Sequence, residues 1–263
     1  MPPTKYWIEM RTADFRAARM ADVIAVLPVA AIEQHGPHLP VGVDLAIMQG
    51  YLARVVERLP ADLRALFLPV QAVGVSTEHG DFPGTLTLSP QTALASWREI
   101  GASVARTGCR KIVIVNSHGG NSALVDILAQ ELRAHHDMLA VRAAWGRFGA
   151  PDGLFSAQER AHGIHGGDVE TSLMLAFAPE LVDMSRAGKF TPASVGFETE
   201  FTWLRADRPI GFGWMAQDLS DNGAMGDASA ATAAKGEALA DYGATAFIEL
   251  LRDVEAFDLA RLG

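Results

Sequence analysis

Short apolar segments alternate along the chain with longer amphipathic ones. The apolar segments are rich in β-branched residues and are bounded by turn residues, which favours buried strands. The amphipathic segments repeat their apolar positions at helical spacing. The predicted strands are residues 23–31, 66–70, 111–116 and 138–145, and the predicted helices are residues 45–59, 90–108, 122–135, 169–178 and 228–256. Strands that alternate with helices predict an α/β fold with a mainly parallel central sheet.

Residue type marks several helix boundaries. Ser89 is predicted to cap a helix that has Pro90 in its first turn, and Asn121 is predicted to cap the helix that follows it. The last helical pattern predicts one helix or a helix pair broken near Gly236 and Gly243. Residues 185–221 are rich in Gly, Pro and aromatic residues, and they predict long loops or short strands.

Composition narrows the class of protein. The chain has 263 residues, 49% of them hydrophobic and 20% charged, so we expect a single folded domain over residues 1–263. A formal net charge of −9 argues against a nucleic-acid partner. Cys109 is the single cysteine, which excludes an intrachain disulfide and a cysteine-based zinc site. Residues 1–10 lack a signal-peptide pattern and no apolar run is long enough for a membrane span, so we expect a cytoplasmic protein without a membrane partner.

A first polar cluster follows the strand predicted at residues 23–31. Glu33 and His35 are two positions apart, so their side chains point the same way if the strand continues. Asp44 adds a second carboxylate nine positions after His35. Carboxylates and imidazoles that converge in this way suit a divalent metal. The alternative is that Glu33 and His35 form a solvated strand end.

A second cluster lies between the clearest strand and the helix after it. His118 stands at the carboxyl end of the strand, and Gly119 and Gly120 follow it. Amides at the start of a helix favour an anion, or negative charge that develops on a substrate oxygen. The alternative is a glycine-rich turn that binds a phosphate, with His118 incidental.

A third cluster joins His162, His165, Asp168 and Glu170 among glycines. Glu170 begins an apolar helix, where the helix dipole alone favours a carboxylate. The same explanation applies to Asp168, and His162 is explained equally well as a loop residue. His79 belongs to a fourth polar segment, whose Phe-Pro-Gly sequence is rigid enough to wall a pocket.

Together these segments resemble the creatininase family of creatinine amidohydrolase-like metal hydrolases. The motifs occur in the family order, and the resemblance extends from about residue 5 to about residue 250. The matching segments are residues 27–40, Asp44, residues 82–85, 116–121 and 165–172, and the pairs Gly226-Asp227 and Lys235-Gly236.

The resemblance implies a three-layer α/β/α sandwich that holds two divalent metal ions, usually in a homohexamer. Carried over residue by residue, it implies that Glu33 and His118 bind one ion and that His35 binds the other. Asp44 is then the bridge between both ions, and Glu170 completes the site. Three carboxylates and two imidazoles suit Zn, Mn or Fe.

The sequence departs from the enzymes that act on creatinine itself. Those enzymes have a tyrosine and a metal-binding glutamate where this chain has Gly119 and Gly120, and a glutamate where it has Ile164. Their tryptophan that packs on creatinine falls near Ala161, although Trp145 matches a family aromatic position. The departures indicate a different amide, and the pattern is nearer the formamide deformylase and mycofactocin peptidase branches.

We therefore expect a metal-dependent amidohydrolase that cleaves a non-peptide C–N bond of a small cyclic amide or formamide. The resemblance implies attack by a hydroxide that bridges the two ions. His165 is the candidate that gives a proton to the leaving nitrogen, and Glu170 is assigned to the catalytic set as well as to the metal. Gly119 and Gly120 are expected to stabilise the oxyanion through their amides, and Trp145 and His79 to contact the substrate.

Other functions stay open at this point. One is a peptidase of the mycofactocin-maturation type. Another is a binding protein that holds a phosphorylated ligand at Gly119 and Gly120 without turning it over. A metal-dependent phosphoesterase is a third, although few Arg and Lys residues lie near the motifs.

Overall fold

Four parallel strands form the central sheet of the computed structural model, which describes residues 2–262. They run in the spatial order β2-β1-β3-β4. The strands are β1 (Ile24–Val29), β2 (Ala65–Phe67), β3 (Lys111–Asn116) and β4 (Leu139–Ala144). The apolar runs of the sequence predict all four, although β2 is shorter than its pattern.

Helices cover both faces of this sheet. The α-helices are α1 (Thr12–Ala17), α2 (Val43–Arg58), α3 (Pro90–Arg106), α4 (Ser122–His136), α5 (Ala157–His162), α6 (Asp168–Phe177), α7 (Ser194–Glu200), α8 (Ala216–Leu219) and α9 (Ala233–Ala256). Helices α2, α6 and α9 pack on one face, and α3 and α4 pack on the other. The predicted three-layer α/β/α sandwich with a mainly parallel sheet is confirmed.

The sheet is buried on both faces, and strand β1 shows why its sequence is apolar throughout. Ile24 and Val26 point into the core beneath α2 and α9, while Ala25 and Leu27 point into the core beneath α3 and α4. A strand between two helical layers has no polar face, so its sequence is a continuous apolar run without alternation.

The order of the strands places a crevice between β1 and β3. The chain leaves β1 for β2 on one side, and later leaves β3 for β4 on the other side. Val29 and Asn116, the last residues of β1 and β3, lie opposite each other in the register. Open parallel sheets bind their ligands beyond the carboxyl ends of the strands at such a reversal. The segments that follow these two strands carry the first two polar clusters.

The structure corrects the prediction that the last helix is broken. Helix α9 runs without interruption through Gly236 and Gly243. A Cβ at Gly236 would overlap the Ser172 carbonyl of α6, and one at Gly243 would overlap the Tyr51 ring of α2. These glycines allow close packing of helices rather than a turn.

Ser89 caps α3 as predicted, since its hydroxyl accepts a hydrogen bond from the Thr92 amide. Two other predictions need correction. The Asn121 side chain, by contrast, makes no capping hydrogen bond to α4. The segment 185–221, predicted as loops or short strands, also contains helices α7 and α8. None of the helices within residues 2–262 has a long enough apolar stretch to cross a membrane.

Candidate metal centre

Glu33 and His35 lie in an irregular segment directly after β1. The strand does not continue through this segment, in which Ile32 alone makes a bridge, to Leu86. The Glu33 amide donates instead to the Val41 carbonyl. Both side chains nevertheless point into the same buried space, and neither is exposed to solvent. The alternative of a solvated strand end is therefore excluded.

His118 is held by hydrogen bonds at the carboxyl end of β3. The Asn116 side chain accepts from the His118 amide and donates to the His118 carbonyl. Asn121 donates to the Ala30 carbonyl at 3.0 Å and accepts from the Val75 amide at 3.0 Å. These bonds tie together the ends of β1 and β3, and they explain why Asn121 does not cap its helix.

Asp44 comes from the first turn of α2, and its side chain is buried beside these residues. Glu170 lies in the first turn of α6, where its carboxylate accepts from the Gly166 amide, and His165 lies just before this helix in a bridge with Met225. Asp168 lies apart from them, in a hydrogen-bonded ion pair with Lys235 of α9. Its role in the structure is therefore to join α6 and α9.

Glu33 is the meeting point of three imidazole rings. Its Oε1 lies 3.2 Å from Nδ1 of His118, 3.5 Å from Nε2 of His79 and 3.5 Å from Nδ1 of His165. A second group surrounds His35, whose Nε2 lies 3.8 Å from a carboxylate oxygen of Asp44 and 3.8 Å from one of Glu170. Asp44 links the groups, because the same oxygen is also 3.8 Å from Nδ1 of His118.

Several atoms of this cluster are buried without a hydrogen-bond partner among residues 2–262. They are both carboxylate oxygens of Glu33, Nε2 of His35 and Oδ2 of Asp44. A buried carboxylate without a partner is costly unless a cation or a donor satisfies it. Nδ1 of His35 donates to the Glu33 carbonyl at 2.9 Å, so the lone pair of its Nε2 points into the site. The donor set therefore fits divalent metal ions.

Burial and mutual charge shift the protonation of the cluster. Burial alone disfavours a charged His118, but the adjacent carboxylates of Glu33, Asp44 and Glu78 raise its pKa to about 10. Burial raises the pKa of Asp44 well above its usual value. Burial also lowers the pKa of both His35 and His165 to about 4, so both rings are neutral at pH 7.

The sequence did not assign a role to Glu78, which the structure brings to this centre. Its Oε1 lies 3.6 Å from Nε2 of His118, and it forms a potential metal-binding group with Glu33 and His118. Its neighbour Gly120 is tightly enclosed, because a Cβ there would overlap Glu78, His118 and the Val75 carbonyl. The only local signal was the position of Glu78 beside His79 in a polar segment.

The other residues singled out in the sequence lie in different surroundings. Trp145 is buried, with its ring stacked on Tyr51 at 4.2 Å and in contact with Phe247 in the apolar core. Its role in substrate binding stays a prediction. A Cβ on Gly119 would meet nothing within 4 Å. His162 lies away from the cluster, where it forms a hydrogen bond with the Ser194 hydroxyl and an ion-pair contact with Glu198.

The sequence and the fold are similar to those of known hydrolases. A family model described as creatinine amidohydrolase matches residues 8–251. The creatinine amidohydrolase of Pseudomonas putida is 34% identical over 196 residues, which cover 67% of this chain and 74% of that protein. The mycofactocin precursor peptide peptidase of Mycolicibacterium smegmatis is 33% identical over 222 residues, which cover 81% of this chain and 78% of that protein.

Solved structures agree over nearly the whole chain. A creatininase structure with Mn superposes with a TM-score of 0.74 at 27% identity, covering 95% of this chain and 98% of that one. A creatininase mutant of Zn-Zn type superposes with a TM-score of 0.75 at 27% identity, with the same coverage. Both metals accept the nitrogen and oxygen donors found in this cluster.

Proposed function

The chain belongs to the creatininase family, and from this premise we propose that it is a divalent-metal-dependent amidohydrolase that acts on a small cyclic amide or formamide. One observation carries the proposal. Glu33, His35 and Asp44 direct unpartnered oxygen and nitrogen atoms into one buried space. Such a donor set is costly for the protein alone and is suited to holding a metal ion.

Two ions per chain are proposed, held by the residues in two overlapping groups. Glu33 and His118 would hold one ion, and His35 and Glu170 the other. Asp44 lies within 3.8 Å of both His35 and His118, which supports its assignment as the bridge. Divalent ions at such a site polarise a carbonyl and make water nucleophilic near neutral pH.

His165 is proposed to move the proton that hydrolysis requires. Its Nε2 donates to the Gln34 carbonyl at 2.5 Å, so the unprotonated Nδ1 faces the cluster. A neutral ring in this orientation accepts a proton at Nδ1 from the attacking water before it can give one away. The same nitrogen then delivers that proton to the leaving nitrogen of the amide.

The space beside His118 supports a substrate other than creatinine. Gly119 leaves open space where the creatinine-acting enzymes carry a side chain, and Gly120 supplies no carboxylate. The pocket therefore differs from one built for creatinine. A peptide substrate is the second candidate, because a peptidase is 33% identical over 81% of the chain.

A substrate screen tests the proposal. Protein loaded with Mn or Zn is assayed against cyclic amides, formamides and short peptides, with detection of ammonia, formate and new amino termini. Metal-dependent release from a small amide supports the proposal, and release of new amino termini alone moves the assignment to the peptidase. Tight binding of a phosphorylated compound without hydrolysis of any amide would favour a binding protein.

Self-assembly into a homohexamer is proposed as well. Trp203 is 66% exposed and Ile210 is 55% exposed, and large exposed apolar side chains of this kind are typical of contact surfaces. Light scattering coupled to size-exclusion chromatography measures the mass directly. A mass equal to one chain across the tested concentrations would contradict the assembly.

A further inference from the structure

Gln34 lies between the two metal-binding candidates Glu33 and His35 in sequence, and its side chain contacts His79. The orientation of its amide group is fixed by two main-chain partners. Its Oε1 accepts from the Gly36 amide at 2.8 Å, and its Nε2 donates to the Gly223 carbonyl at 3.0 Å. A flipped amide would place donor against donor and acceptor against acceptor.

This orientation determines which nitrogen of His79 carries a proton. Nε2 of Gln34 lies 2.7 Å from Nδ1 of His79, and an amide nitrogen can only donate. Nδ1 of His79 must therefore be the acceptor, and the ring proton is on Nε2. A doubly protonated ring is disfavoured for the same reason, because its Nδ1–H would face the amide N–H.

Gln34 also fixes the tautomer of His165, but there the nitrogen that faces the site is an acceptor and not a donor. The main-chain carbonyl of Gln34 accepts from Nε2 of His165, so His165 presents the unprotonated Nδ1 to the site. The two rings are stacked, with centroids 4.2 Å apart and planes inclined by 24°. His79 Nε2 and His165 Nδ1 each lie 3.5 Å from Oε1 of Glu33. The His79 donor and the His165 acceptor thus stand side by side, next to the carboxylate of Glu33, which is a proposed metal ligand.

We propose that Gln34 is a positioning residue that holds His79 as the Nε2–H tautomer, and that this N–H binds the carbonyl oxygen of the amide substrate. The assignment rests on the proposed amidohydrolase function. An amide undergoing hydrolysis needs a donor at its carbonyl oxygen and an acceptor for the proton of the attacking water. His79 supplies the donor, and His165 supplies the acceptor.

The N–H donor of His79 should contribute measurably to kcat. Negative charge grows on the carbonyl oxygen as the amide carbon becomes tetrahedral, and a buried fixed donor stabilises that charge. Loss of one such donor lowers kcat by about 100- to 1,000-fold in comparable sites. If the His79 ring served only as packing, replacements that keep an N–H donor and replacements that remove it would lower kcat equally.

Nitrogen NMR reads the tautomer without any substrate. In protein labelled with ¹⁵N-histidine and loaded with diamagnetic Zn, the His79 signals are assigned by their absence from His79→Gln. We expect an unprotonated Nδ1 and a protonated Nε2. In Gln34→Glu a carboxylate oxygen faces the ring, so a proton should appear on Nδ1. An Nδ1–H tautomer in the unmodified protein, or no change in a folded Gln34→Glu, would overturn the positioning role.

A matched pair of variants then tests the donor. In His79→Gln the amide nitrogen can take the place of Nε2, whereas His79→Asn is too short to reach it. We expect His79→Gln to keep most of kcat, His79→Asn to lose about 100-fold or more, and His135→Asn at the exposed end of α4 to match the unmodified protein. Equal activity of the two His79 variants, at equal metal content, would overturn the donor role while leaving the amidohydrolase function intact. Absence of any amide hydrolysis by the unmodified protein would overturn both the proposed function and the donor role. The NMR test of the His79 tautomer needs no substrate, so its result does not depend on either.

Discussion

Nδ1 of His118 lies 3.2 Å from Oε1 of Glu33, and both side chains are buried. Burial alone would raise the pKa of Glu33, but its close interaction with His118 and the charge of the nearby imidazoles lower that pKa below its usual value. The same pairing raises the pKa of His118 to about 10. At neutral pH the metal-free centre therefore holds a proton on the nitrogen that is proposed to bind metal.

Metal binding should consequently release at least one proton from His118. Since the ion must displace that proton, the apparent metal affinity should rise by about tenfold per pH unit below pH 10 for each proton displaced. Calorimetric titration of zinc in buffers with different ionisation enthalpies counts the protons released. An affinity that does not change between pH 7 and pH 9, with no proton release, would contradict this assignment of Glu33 and His118.

The same pairing gives the metal-free protein a defined pH dependence. The folded pKa of about 10 for His118 lies above the ordinary value of 6.5, so the folded protein binds a proton that the unfolded chain has released. This contribution to stability is complete below about pH 6.5 and is lost as the pH rises toward 10. Thermal unfolding in EDTA should show Tm falling across that window, and the fall should be smaller in His118→Gln.

Asp44→Asn should lose metal without loss of the fold. The substitution removes the carboxylate charge that lies between His35 and His118 but keeps the shape of the side chain. Burial raises the pKa of Asp44, so the ionised group opposes folding when no metal is present. Tm in EDTA should therefore not decrease, while the increase in Tm on adding Zn or Mn should largely disappear.

Metal analysis of the purified variants checks this prediction. Glu57→Gln, on the exposed side of the same helix, is the matched control and should keep the metal content of the unmodified protein. Retention of two ions per chain by Asp44→Asn would contradict the bridging position.

The core of the fold could be predicted from local sequence. The apolar, β-branched segment that ends at Asn116 predicts the bounds of β3 as observed, because burial on both faces leaves no polar position between Lys111 and Asn116. The end of β1 could not be predicted in the same way. There the chain leaves the sheet, and contacts with residues distant in sequence, such as the bridge between Ile32 and Leu86, replace the strand pairing.

The candidate site likewise contains residues that could be predicted from local sequence and residues that could not. Glu33, His35 and His118 occur in recognisable motifs, so their proximity could be expected from the resemblance. Gln34 and Glu78 could not be found in this way, because their roles depend on groups far away in sequence. Gln34 is oriented by the Gly223 carbonyl, and Glu78 contacts His118, which follows a different strand.

His165→Gln should keep the metal ions and lose turnover. The ring lies 3.5 Å from Glu33, but its neutral Nδ1 is assigned to proton transfer rather than to metal binding. General acid-base residues typically contribute about 100- to 10,000-fold to the rate. We expect a loss of kcat in that range at unchanged metal content, measured on the best substrate from the screen, with His135→Gln as the control. Full activity, or loss of a metal ion, would contradict the role.

Alanine substitution at Gly120 should lower stability and metal affinity, whereas the same substitution at Gly119 should change them little. In Gly120→Ala the added methyl group would overlap Glu78, His118 and the Val75 carbonyl, so His118 must move. Overpacking of this kind costs about 1–3 kcal/mol, and the displaced ring should weaken metal binding. In Gly119→Ala the methyl group enters open space, and stability should change by no more than about 0.5 kcal/mol. Urea unfolding with and without Zn measures both effects. Equal metal affinity in the two variants would show that the close fit of Gly120 against His118 does not position the metal ligand.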